Sequence, residues 1–280
     1  MHPPRIRSAA RRVCVHDVDA RYAKLVFSFV LSGAFAVLAE PRIPRSDDEV
    51  VERVADGTRR ARALKRIEAD INGSPTEAAR LAKAYVELGR AAGDPRYMGR
   101  AQGVLAPWRD LESPPPEVLL MRAVLQQWHH RSAAALRDLD RLIEVRPADA
   151  QAWLIRANIE QVIGDYGAAA RSCERVSELL PGIVATTCAA GVASLTGNLA
   201  GARAALARAL DAEDAPSSAV EAWSRTALAD MALRAADARA AEREFRRALA
   251  LERDPYTLAA LADLLLDGRR APEVVELLRG

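Results

Sequence analysis

A unit of a little over thirty residues recurs along this chain. A chain built from short self-similar units has few ways to fold. Each copy reads as two amphipathic helices joined by a turn. One such hairpin cannot bury its apolar faces alone, so copies must stack into an elongated array. The clearest copy, Gln151–Pro181, has Trp153, Ala157, Gly164-Asp165-Tyr166, Ala169, Cys173, Val176 and Pro181 as landmarks. Val184–Leu210 and Glu221–Leu251 repeat its arrangement: a small residue within the first helix, a turn, an alanine, then two further residues four and seven positions on.

The unit continues in both directions. Upstream, Leu119, Ala123, Ala135, Leu139, Leu142 and Pro147 keep the spacing. Downstream, Pro255 opens a last copy with Ala262, Asp267-Gly268, Val274 and Leu278 and a shortened second helix. A further copy lies at Pro75–Trp108, with Ala82, Tyr85, Gly89, Ala101 and Leu105, and its inter-helix gap is seven residues longer. Seven residues is about two helical turns, so a longer first helix absorbs them without rotating its apolar face. Arg62–Ile71 reads as a lone second helix before this copy.

This pattern resembles the tetratricopeptide repeat, whose unit of about 34 residues runs Trp, Leu-Gly, Tyr, Ala, Phe, Ala, Pro. The resemblance covers residues from about 60 to 280, with five copies carrying most of it. Arg156 stands where the pattern has Leu, and Glu160 where it has Tyr. The resemblance implies an all-α fold: a right-handed α-solenoid of antiparallel helix pairs, with about five repeats over residues 74–280. Residues 40–73 are then an N-terminal extension and capping helix. Asp47-Asp48, ahead of Glu49-Val50-Val51-Glu52, reads as a helix start favoured by the helix dipole.

Composition agrees with helices. Half of the residues are hydrophobic and only 5% are aromatic, while Ala, Leu and Arg, all good helix formers, predominate. Ala157, Ala169, Ala190 and Ala202 let antiparallel helices approach closely. Trp153, Leu139, Leu206 and Phe245 are expected to fill the gaps between units. Pro147 and Pro181 end second helices, because proline lacks the amide and clashes with the preceding turn. Glu112–Pro116 reads as a stiff turn between copies.

Charge is uneven. The net charge is +2, with +4 on residues 1–39 and −2 on the remainder. A near-neutral body lacks the basic stripe that nucleic-acid binding usually needs, so the expected partner is a protein or peptide. Leu25–Ala39 carries no charge over fifteen residues and follows several basic ones. As a helix it spans about 22 Å, short of the roughly 30 Å hydrocarbon core. Basic start, apolar stretch and the small residues of Val37-Leu38-Ala39 fit a secretory signal peptide over residues 1–39, cleaved after Ala39. The expected location is periplasmic or secreted. An uncleaved signal anchor, holding the repeats at the inner membrane, is the alternative, and a buried core helix is a third reading.

No motif for catalysis, metal or cofactor stands out. Gly-rich phosphate loops and HExxH are absent from the sequence. His129 and His130 are adjacent, about 100° apart on a helix, and cannot share one ion from one face. No enzyme activity, metal or cofactor is therefore expected. Cys173 and Cys188 lie on consecutive helices across the Pro181-Gly182 turn. In an oxidising compartment they could form a disulfide. Equally, Cys173 could be a small core residue in a slot used by Phe or Leu, with Cys188 its unpaired neighbour. The spacing leaves both readings open.

The resemblance also implies a binding groove lined by first helices. Its positions fall on Gln127 in one copy, on Leu154, Asn158 and Gln161 in the next, then on Thr187 and Ser194, and on Trp223 and Asp230. Asn158 is the leading candidate, since its amide can both donate to and accept from a peptide backbone. The competing expectation is that several of these positions pack against the extended helix at Pro75–Gly93 or against the N-terminal segment.

Overall fold

The computed structural model of the protein describes Ser46, residues 59–70, 73–212 and 216–279. The segment expected to be a signal peptide, residues 1–39, and the helix start at Asp47-Asp48 lie outside the described residues. Among the described residues no helix is long and apolar enough to cross a membrane.

All regular structure among these residues is helical. A lone helix, α1 (Arg59–Asp70), precedes six hairpins: α2 (Pro75–Ala92) with α3 (Arg96–Val104), α4 (Pro116–Trp128) with α5 (Ser132–Val145), and α6 (Ala150–Val162) with α7 (Tyr166–Leu179). Then come α8 (Ile183–Leu195) with α9 (Leu199–Ala212), α10 (Ser218–Arg234) with α11 (Ala238–Leu251), and α12 (Pro255–Asp267) with α13 (Ala271–Arg279). Each hairpin packs on the next, as expected of an all-α repeat solenoid. The copy at Pro75–Trp108 is a full hairpin, so six pairs are present where about five were expected. Its α2 has 18 residues against 13 in α4, α6, α8 and α12. The extra length in the sequence thus becomes helix.

Paired small residues explain the closeness within hairpins. Ala123 and Ala135, Ala157 and Ala169, Ala190 and Ala202, and Ala229 and Ala241 each share one core cluster, all buried. Four residues beyond the second alanine, one slot holds Leu139, Cys173, Leu206 and Phe245, each buried in turn. Trp153 departs from the expected filling role. It is only half-buried, its indole N–H donates to the Pro147 carbonyl at 2.9 Å, and Arg156 and Arg175 sit 5.8 Å from its ring centre. The indole clamps the turn between hairpins instead of plugging the core.

Local chemistry sets the helix ends. Asp149, Asp165, Asp237 and Asp254 each accept a hydrogen bond from the backbone amide three residues on, satisfying a donor that the first turn leaves open. Pro75, Pro116 and Pro255 occupy the first helical turn, where a missing amide costs nothing. The turn inside each later hairpin passes through the left-handed region. That position is glycine in two copies but His130, Ala236 and Arg269 in three others, at φ near 57°.

Buried polar pairs fasten individual hairpins. The Arg122 Nε donates to Asp138 Oδ2 at 2.6 Å, and its Nη1 donates to the carbonyls of Trp108, Arg109 and Leu111. One guanidinium therefore joins α4 to α5 and pins the loop that follows α3. Ser172 Oγ donates to Glu160 Oε2 at 2.7 Å within the next hairpin, and Arg225 Nη1 donates to Glu244 at 3.0 Å within the fifth. Between hairpins, Cys173 on α7 and Cys188 on α8 are joined as a disulfide, with Cα atoms 5.6 Å apart. The free-thiol alternative is thus not the arrangement found. Cys173 nevertheless occupies the expected core slot.

Two stability outcomes follow from these contacts. Arg122→Ala strands the Asp138 carboxylate, which is 3% exposed, and is expected to cost about 3–5 kcal/mol in urea unfolding. A loss under about 1 kcal/mol would show that the pair contributes little. Ala236→Gly removes the strain of an L side chain at φ 57° and is expected to stabilise by about 1 kcal/mol. An unchanged or lower midpoint would show that this turn is unstrained.

Candidate functional site

The first helices α2, α4, α6, α8 and α10 together wall one groove of about 290 Å³. Six of the eight predicted groove residues line it: Gln127, Leu154, Asn158, Gln161, Thr187 and Trp223. Periodicity places them together, since each comes from a corresponding face of a successive first helix. Ser194 and Asp230 do not line this pocket. Ser194 is buried, donates to the Gly191 carbonyl and accepts from Arg234 at 2.8 Å. Asp230 lies further along, where Tyr256 of α12 donates to it at 3.1 Å.

Within the groove the polar groups are already partly engaged. Gln127 Nε2 donates to Asn158 Oδ1 at 2.9 Å, tying α4 to α6. The exposed Asn158 therefore offers its amide N–H groups, while its oxygen has a partner. Gln161 lies flat against α8 because residue 191 is glycine. A Cβ there would stand 3.0 Å from Gln161 Oε1. Thr187 is buried, donates to the Ile183 carbonyl, and shares a 2.8 Å hydrogen bond with Ser224. It fastens α8 to α10 and offers the groove little but its methyl surface. Trp223 is about one-third exposed and forms the apolar end of the wall.

Five lining residues are outside the eight predicted positions: Ile155, Cys188, Gly191 and Ala227 sit on helices that also carry predicted ones, while Arg90 comes from a helix that carries none. Arg90, in the last full turn of α2, reaches the same groove as Asn158 and Trp223. Its side chain makes no hydrogen bond or ion pair among the described residues. Beyond the ladder of its own helix, its carbonyl accepts from the Gly93 amide. The longer gap in the Pro75–Trp108 copy is the signal that points to it, because the extra turns carry α2 past its usual end. Gly93, which caps α2, comes close to α12: a Cβ built on it would lie 3.8 Å from the Pro255 ring. The end of α2 thus approaches the start of α12 across the concave side. Arg90 of the long α2 helix and the predicted groove positions line the same space.

Electrostatics differ along the wall. Burial raises the Asp230 carboxyl above its ordinary range, against the opposing pull of the Tyr256 hydrogen bond and the Arg234 charge. Partial burial pushes the Tyr256 phenol up to about 12, helped by the Asp230 charge and hydrogen bond, although the residue keeps 60% of its surface in water. Among the described residues no three His, Cys, Asp or Glu side chains converge as metal ligands would.

The six hairpins, their small-residue contacts and the shared concave wall define the architecture. The fold is that of the tetratricopeptide repeat. Solved structures agree. A thermophilic TPR protein of Thermus thermophilus matches 69% of this chain and all of its own, at 20% identity and TM-score 0.52. A tetratricopeptide repeat protein from Parabacteroides merdae matches 74% of this chain and 78% of its own, at 19% identity and TM-score 0.55. A monomeric mutant of IFIT1 with m7Gppp-AAAA matches 78% of this chain and 54% of its own, at 12% identity and TM-score 0.56. No family model and no curated protein matches the sequence. At these identities the likeness concerns the fold alone.

The Tyr256–Asp230 contact can be tested by titration. Stability tied to this phenol is complete below pH 10, its ordinary value, and is lost as pH rises through about 12. Ultraviolet absorbance of the phenolate, as wild type minus Tyr256→Phe, should show that midpoint. Asp230→Asn should lower it part of the way toward the ordinary value, since burial remains. No change on Asp230→Asn would mean that the two side chains are not paired.

Proposed function

We propose that this protein is a non-enzymatic scaffold that holds an extended segment of a partner protein in the concave groove of its repeat solenoid. The observation that carries this reading is the groove itself. It draws on five first helices and is lined by a mixture of apolar and amide-bearing side chains. Such a lining suits a peptide, whose backbone alternates donors and acceptors and whose side chains need apolar contact. Arg90 is the one charged residue in that lining. A nucleic-acid backbone, with its closely spaced phosphates, would call for several cations. Fold by itself does not carry function, so the reading rests on the groove and not on the structural neighbours.

Export belongs to the same proposal. The uncharged stretch Leu25–Ala39, behind its basic residues, supports passage through the secretory route, with release after Ala39. A disulfide between Cys173 and Cys188 suits an oxidising compartment. The second reading keeps residues 25–39 in the inner membrane as an anchor and presents the same groove from there. That stretch is short for a span, which favours release.

The test expresses the full chain with a C-terminal tag in a Gram-negative host. Cells are fractionated and crosslinked, and captured proteins are compared between wild type and Asn158→Arg. A shortened periplasmic form with a partner that Asn158→Arg loses at least tenfold supports the scaffold. A full-length form in the inner membrane replaces release with tethering. Capture that is indifferent to Asn158→Arg rules out the groove, and recovery of nucleic acid in place of protein rules out the partner class.

A further inference from the structure

A second hollow, of about 350 Å³, adjoins the groove and shares Arg90 and Gln127 with it. Val86 of α2, Met98 of α3 and Val124 of α4 give it an apolar floor, and Trp128 forms a wall. Val86 and Met98 are almost fully buried, whereas Trp128 keeps 45% of its surface in water. An indole left this open beside an apolar floor gains by being covered, since apolar area leaves water on contact. Buried aromatic or aliphatic anchors in such pockets carry most of the energy of small interfaces.

Arg90 stands where this hollow meets the groove. No carboxylate among the described residues pairs with it, and the hollow's other polar residues, Gln127 and His130, are not acidic. Some arginines have partners, as Arg122 has Asp138, Arg203 has Asp237 and Arg270 has Glu242; what sets Arg90 apart is that it lines both hollows. An unpaired guanidinium beside an apolar socket is complementary to one arrangement: a carboxylate next to a large apolar side chain. The approach of Gly93 to Pro255 narrows the concave side at this place. An extended chain is thinner than a helix of about 10 Å diameter and suits this narrowed place. The ligand therefore enters extended.

We infer that the groove selects an extended protein segment with an Asp or Glu within two residues of a Phe, Trp, Leu or Met. The apolar side chain fills the Val86–Met98–Val124–Trp128 hollow, and the carboxylate bridges to Arg90. This inference rests on the peptide-groove reading above and specifies its ligand.

The experiment pans a random octapeptide display library against the immobilised full-length protein. Recovered sequences are made as fluorescein-labelled synthetic peptides, and Kd is read by anisotropy for wild type, Arg90→Glu and Asn158→Arg. The expected consensus pairs an acid with a large apolar residue. Changing the acid to Lys, or the apolar residue to Ser, should each weaken binding at least tenfold. Arg90→Glu should weaken the acidic peptide at least tenfold and bind its Lys version better than wild type does. Circular dichroism of Arg90→Glu, an exposed position, checks that the fold is kept. A consensus without the acid–apolar pair, or peptides that lose binding with Asn158→Arg but not with Arg90→Glu, overturns the inference and leaves the groove reading standing. Peptides indifferent to both substitutions, or a library that yields none, overturn both.

Discussion

The molecule depends on how closely two antiparallel helices approach at a pair of alanines. Where Ala157 meets Ala169, or Ala229 meets Ala241, neither residue has exposed surface. A larger side chain at either place would have to push the helices apart, and tightly packed interiors yield poorly to that. Each hairpin is a thin plate because of this contact. Residues such as Leu139, Leu206 and Phe245 then fill the space beside it. The curvature of the stack and the alignment of its first helices follow from repeating one plate geometry. The groove is therefore a consequence of packing. Its lining can vary from copy to copy without disturbing the plates.

Hairpins differ in how they are fastened, and the differences track their cores. Arg122–Asp138, Glu160–Ser172 and Arg225–Glu244 provide polar clamps between the two helices of a hairpin. At the corresponding position of its second helix, the α8–α9 hairpin has Ala205. Its neighbour α7 has the small Cys173 where other copies carry Leu or Phe. The disulfide from Cys173 to Cys188 falls at this junction. It closes a loop of 15 residues, a length for which chain entropy gives roughly 3 kcal/mol. A covalent bond thus supports the stack beside the slot that holds cysteine in place of Leu or Phe. Cys188 also lines the groove, so the same bond steadies part of the wall.

Periodicity makes the plates legible from the sequence, and it makes most of the groove legible too. Ala123, Ala157, Ala190, Ala229 and Ala262 mark one helical position, and counting from them brings Gln127, Leu154, Asn158, Gln161, Thr187 and Trp223 to one wall. Counting cannot say which of them face solvent. Thr187 and Ser194 have short hydroxyls that bond back to their own helix and across to α10. Only coordinates reveal that use. Trp153 departs from its expected place for a related reason. Its position recurs, but its indole finds a carbonyl and two guanidinium groups at the turn instead of the core. Arg90 escapes this counting because it lies in residues added to the repeat, and only the longer gap of that copy points to it.

That added stretch changes what the concave side can hold. In a regular stack the first helices leave an open trough, and a long helix could lie along it. Here α2 continues past the length of α4 and α6, and its cap comes to rest near the start of α12. The concave side is narrowed there, and two adjoining hollows meet at Arg90. The ligand proposed above is thin enough to pass beside α2 and reaches both hollows with neighbouring side chains. An extended chain does both, since its successive side chains point to opposite faces and alternate ones share a face about 7 Å apart. The insertion that breaks the repeat is thus what gives the groove its shape.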